Sequence, residues 1–94
     1  MSRTLVIDWL EGNCPVQAEG TFGGQAFYFR SRGARWSMNI GGREVVGSPD
    51  WRYEEPYGKW PDAGWITKEQ ALAFIDKAVS LYCKEKGYKD HKEC

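Results

Sequence analysis

The sequence predicts an α+β domain: an antiparallel meander of four to five strands with one C-terminal helix packed on one face. Three observations carry that prediction. Paired glycines punctuate the first half of the chain at hairpin spacing, the runs between them alternate apolar and polar residues, and the last third changes to a helical period. Ninety-four residues suffice for one hydrophobic core and not for two, so 1–94 reads as a single small domain.

The first strand is expected over Thr4–Trp9, around β-branched Val6 and Ile7. Glu11-Gly12-Asn13 ends it and Pro15 opens the next segment. Gly23-Gly24 suits a two-residue hairpin turn, because glycine takes positive φ without a Cβ clash. That register sets Gly20 opposite Phe27 and Ala18 opposite Phe29, a small residue facing each large ring. Gln17, Glu19, Thr21, Tyr28 and Arg30 fall on the other face. A turn around Arg32-Gly33-Ala34 leads into Arg35–Ile40, with Trp36, Met38 and Ile40 on the phenylalanine face and Arg35, Ser37 and Asn39 away from it. Two separate turns thus give one apolar face, which fixes the register strongly. Gly41-Gly42 reads as a further turn into a short strand, Arg43–Val46, with Val45 inward. Trp51–Glu55 alternates ring and polar residue and reads as an edge strand ended by Pro56.

The helix begins with a capping box, Thr67 to Gln70, and spans 67–86. Ala71, Leu72, Ile75, Ala78, Val79 and Tyr82 repeat at helical spacing, with Phe74 and Leu81 widening the stripe. Lys84 and Lys86 suit the negative end of the helix dipole, and Gly87 suits the position after the last turn. The charged tail beyond Gly87 is expected to fray.

Thirteen basic residues balance thirteen acidic ones, so the chain as a whole is not steered toward nucleic acid or an anionic membrane. No apolar run in the chain is long enough to cross a bilayer, and a cytoplasmic location in a host cell is expected. Cys14, Cys83 and Cys94 are odd in number and form no C-x-x-C pair, which favours reduced thiols, with Cys83 as core filler. The single histidine, His91, sits in the polar tail, where it cannot be held against a nucleophile. Glu54 and Glu55 are adjacent, so on a strand they point to opposite faces and do not share a proton. His91 and Cys94 form one pair where structural zinc takes paired sets, and the Gly-Gly turns match no phosphate-binding motif. The chain is therefore expected to have no enzymatic activity, no cofactor and no metal.

Two surfaces attract attention instead. Arg30, Arg32 and Arg35 gather at the second hairpin. A turn at Arg32-Gly33 opposes Arg30 to Arg35, and one at Gly33-Ala34 opposes Arg32 to Arg35; either way like charges face each other, which disfavours the isolated fold. With Tyr28 beside Arg30, that face suits a stacked base and phosphates, or an acidic protein surface. The bland alternative is a solvated patch, with Glu19 diagonal to Arg30 taking up one charge. The second surface is 51–65, five large aromatics in fifteen residues. Trp36, Trp51 and Trp65 are assigned to the core. Tyr53, Tyr57 and Trp60, with Glu54 and Glu55 among them, exceed what a core this size holds, and Tyr and Trp are frequent interface anchors. The alternatives are a lid over the core or a pocket wall for a small molecule. The candidate partner-binding residues are Arg30, Arg32, Arg35, Tyr53, Glu54, Glu55, Tyr57 and Trp60, with Tyr57 and Trp60 largely exposed.

Cys14-Pro15-Val16-Gln17-Ala18-Glu19-Gly20, Phe27-Tyr28-Phe29-Arg30, Arg32-Gly33 with Trp36, the run from Trp51 through Tyr53-Glu54-Glu55-Pro56-Tyr57-Gly58, Ala63-Gly64-Trp65 and the helix start Glu69 to Ile75 cover most of the chain. In these it resembles short orphan proteins of proteobacterial phages and prophages. The resemblance implies a mobile-element accessory protein, a class that includes anti-CRISPR inhibitors acting by occupying a surface of a host nuclease complex. The neutral charge departs from acidic inhibitors that imitate DNA and leaves inhibition by contact. The expected function is a non-catalytic protein-binding module, an inhibitor of a host defence (CRISPR-Cas) complex. The alternatives are a nucleic-acid-binding module on Tyr28 and the three arginines, or a small-molecule binder.

Overall fold

Five strands hydrogen-bond in chain order into one antiparallel sheet, in a computed structural model that describes residues 4–87. They are β1 (Leu5–Glu11), β2 (Val16–Phe22), β3 (Gln25–Arg32), β4 (Arg35–Ile40) and β5 (Trp51–Pro56). A 3₁₀ turn, Asp62–Trp65, precedes the single helix α1 (Lys68–Glu85). The fold is α+β, as the periodicities require.

The ladder keeps the expected register. Gly20 pairs with Phe27 and Ala18 with Phe29, and Met38 continues the row beyond Phe29. Paired residues share a face, so the inner face carries Val16, Ala18, Phe22, Phe27, Phe29, Trp36, Met38 and Ile40, all buried. The helix lays Ala71, Ile75, Ala78, Val79, Tyr82 and Cys83 into the same core. Aromatic contacts bind the layers: Phe74 stacks on Trp36 at 5.0 Å and 5° between planes, and Tyr82 meets Phe22 and Trp51 edge-on. At the helix start the Thr67 side chain accepts from the Gln70 N–H, while the Gln70 side chain accepts from the Thr67 N–H.

Four expectations need correction. The first strand runs past Trp9 to Glu11, because Ile7 pairs with Gly20 and Trp9 with Glu19, leaving Asp8 as a bulge. The bulge turns Trp9 to the outer face and brings Leu10 inward to the core. Arg43–Val46 is not a strand: only an isolated bridge, Glu44 to Ser48, forms there, and β5 pairs directly with β4. The reason is a competing bond, since the Asn39 side-chain amide donates to the carbonyls of Val45 and Val46. Trp65 is 61% exposed and not in the core, and Leu72 is 43% exposed at the margin of the helix stripe. The tail beyond Gly87, with His91 and Cys94, lies outside the described residues.

Candidate functional site

The turn between β3 and β4 is Gly33-Ala34, and it sets Arg32 opposite Arg35. One register step into the sheet, Arg30 pairs with Ser37 and Ser37 with Glu54; a further step aligns Tyr28, Asn39 and Arg52. All belong to the outer face, the one α1 does not cover. Arg30, Arg32, Arg35, Ser37, Arg52 and Glu54 line an open groove of about 510 Å³, walled on one side by Trp60, and Tyr28 lies on the same face beyond its lining.

Trp60 is held there by its neighbours. Tyr57 N–H donates to the Ala34 carbonyl (2.8 Å) and Ala63 N–H to the Gly33 carbonyl (2.9 Å), tying both ends of the 57–63 segment to the hairpin tip. The Ser31 hydroxyl donates to the Ala63 carbonyl from the inner face. Gly33 takes φ of +69°, and a Cβ there would come within 2.6 Å of the Trp60 ring. The indole thus rests on bare backbone while remaining 70% exposed.

Among the described residues four guanidiniums and one carboxylate line the groove, leaving three positive charges in excess. Glu54 accepts from Nε of Arg52 at 3.1 Å and also from its Nη2, and lies 3.6 Å from Nη1 of Arg35. The hydrogen bonds from Arg52 hold the Glu54 carboxyl below the ordinary carboxylate value, reinforced by the charges of Arg52 and Arg35 against the opposing cost of burial. Among the described residues Arg30 and Arg32 form no ion pair. The neutralisation of Arg30 by Glu19 is therefore not formed; Glu19 pairs in the ladder with Tyr28 and Trp9. The Tyr28 hydroxyl donates to Gln17 at 2.6 Å, which fixes its ring on the same face.

The structure thus brings together Arg30, Arg32, Arg35, Glu54 and Trp60. It separates them from Tyr53, Glu55 and Tyr57, which face the helix. Tyr53 packs against Trp36 and Trp51 and donates its hydroxyl to Glu55, which also binds Lys77 at 2.6 Å. That ammonium and the tyrosine hydroxyl lower the Glu55 carboxyl; in return Glu55 raises both Tyr53 and Lys77. Tyr57 is half-buried, not largely exposed: its ring meets Phe74 edge-on at 5.4 Å and its hydroxyl accepts from Gln70. Its aromatic surface is spent on the sheet–helix joint. Arg43 follows the opposite end of β4 and does not join the cluster.

Arg52 belongs to the groove although the sequence reading did not select it. The alternation along Trp51–Glu55 contained the signal, since it places Arg52 and Glu54 on one face. The outward position of Trp9, which is not part of the groove lining, was not legible, because it depends on the bulge at Asp8. Among the described residues no helix is long and apolar enough to cross a membrane. No family model, curated protein or solved structure matches this chain.

Proposed function

We propose that the protein is a non-catalytic binding module that docks an anionic surface of a host complex into the arginine groove, and so inhibits a host defence (CRISPR-Cas) complex in the host cytoplasm. One observation carries the docking surface: among the described residues Arg30 and Arg32 stand without a carboxylate partner, beside a Trp60 that is 70% exposed. Opposed arginines and an uncovered indole are each unfavourable in the free protein, and an anionic partner with a flat apolar element relieves both. The single carboxylate lining the groove, Glu54, is held by Arg52 and Arg35, which suits a structural tie more than proton transfer. The choice of a defence complex rests on the resemblance to phage accessory proteins.

The test is phage plating on bacteria with active CRISPR-Cas immunity. Expression of the wild type should restore plaques on the immune strain and change nothing on a strain lacking the nuclease. The Arg30→Glu/Arg32→Glu variant, confirmed folded by circular dichroism, should fail to restore them. Unchanged plating with the wild type would refute inhibition of that defence, and full restoration by the variant would refute the groove as the contact.

A further inference from the structure

Resting on the groove as the docking surface, we propose that what it takes is single-stranded nucleic acid: a base stacked on Trp60, with the adjoining phosphates held by Arg30 and Arg32. Both guanidiniums are on β3 at alternate positions, so they lie on one face about 6.8 Å apart along the strand. Tyr28 is the next outward residue of β3, and its hydroxyl bond to Gln17 holds its ring in place. Ring, guanidinium, guanidinium and ring (Tyr28, Arg30, Arg32, Trp60) therefore follow one another toward the hairpin tip. Stacking platforms interleaved with cations are how proteins hold a single strand without reading its sequence. Arg35 adds a third cation. It is ion-paired with Glu54 at 3.6 Å without a hydrogen bond, so its N–H groups can still donate to a phosphate, while Arg52 and Glu54 close on each other.

An acidic peptide would satisfy the arginines equally well. It would leave the open face of Trp60 and the ring of Tyr28 without a flat partner, and that difference favours the nucleotide. The groove's openness favours a strand passing through over a free nucleotide, because sites for small molecules enclose most of the ligand surface.

The experiment uses the whole chain with fluorescein-labelled oligouridine and oligothymidine of about 12 nucleotides, long enough to cross the groove with several phosphates to spare. A labelled Asp/Glu peptide and unlabelled UMP and ATP complete the set, read by anisotropy at about 50 and about 200 mM salt. The oligonucleotides should bind, with a log–log salt slope of about −1.4 to −2.1 for two to three phosphate contacts. Trp60→Ala should weaken binding roughly 5- to 160-fold, the range of one lost base stack, and Trp60→Phe should recover most of it. Arg30→Glu/Arg32→Glu should abolish binding, while Lys84→Glu, remote from the groove, should leave it unchanged. No oligonucleotide binding at the lower salt overturns the inference whatever the peptide does. Competition by UMP or ATP as strong as by a strand, nucleotide for nucleotide, replaces the strand with a free nucleotide and overturns it too. Docking at the groove is judged separately by the plating assay: with no strand bound, plaque restoration lost in the double variant keeps that surface with another ligand, and restoration retained removes the groove as the contact.

Discussion

Gly33 both closes the β3–β4 turn and makes room for Trp60. At φ of +69° an L side chain is strained, and a Cβ would enter the space of two ring carbons, at 2.6 and 2.8 Å. Gly33→Ala should therefore cost about 1–2 kcal/mol from backbone strain alone, read by urea unfolding. It should also shift the Trp60 indole N–H resonance, because the ring must leave its seat. An unchanged resonance would show that the indole is not seated on Gly33. The turn itself was legible from Gly33, and the arginine cluster from residue spacing. The seat was not, since it depends on a loop that returns through the 3₁₀ turn to the hairpin tip.

At the scale of elements, the helix and sheet share a core whose centre and margin differ sharply. Ile75 is fully buried against the sheet, while Leu72 is 43% exposed. Ile75→Ala and Phe29→Ala should each cost about 2–5 kcal/mol in thermal or urea unfolding, as large side chains lost from a packed core do. Leu72→Ala should cost under about 1 kcal/mol. Equal losses at Ile75 and Leu72 would mean the helix is rotated from its described face. Strands β2 to β4 were legible because two turns and one alternation agreed on the same apolar face. The failure at Arg43–Val46 has a local cause: Asn39 captures the carbonyls of Val45 and Val46, and the edge of β4 goes to the longer run from Trp51. The aromatic stretch was half legible. Counting rings against core volume overlooked the open flank beside β5, where Tyr53 and Tyr57 find room against Trp36 and Phe74. Only Trp60 and Trp65 remain largely exposed among the rings of that stretch, and Trp60 alone lines the groove.

For the whole molecule, zero net charge conceals a division between faces. Glu54 works on the outer face with Arg52 and Arg35, and Glu55 on the helix side with Lys77 and Tyr53. Both carboxyls lie below their ordinary value of 4.5 in the folded protein. A depressed carboxyl contributes stability that is present above the unfolded value and lost as pH falls through the folded one. The melting temperature should accordingly hold above pH 4.5 and decline below it, and Glu54→Gln/Glu55→Gln should flatten that decline. Because these side chains are partly open to water, the decline should be modest and should shrink with added salt. Binding should move the other way. Protonating Glu54 removes the groove's single carboxylate and leaves four guanidiniums uncompensated, while a phosphodiester stays ionised throughout this range. Affinity for a single strand should therefore rise only as pH is lowered below 4.5, in samples still folded by circular dichroism. A carboxylate peptide would lose its own charge over the same interval and weaken. Affinity for the strand that falls on acidification while the fold persists would mean that protonating Glu54 does not strengthen the groove's hold on phosphate.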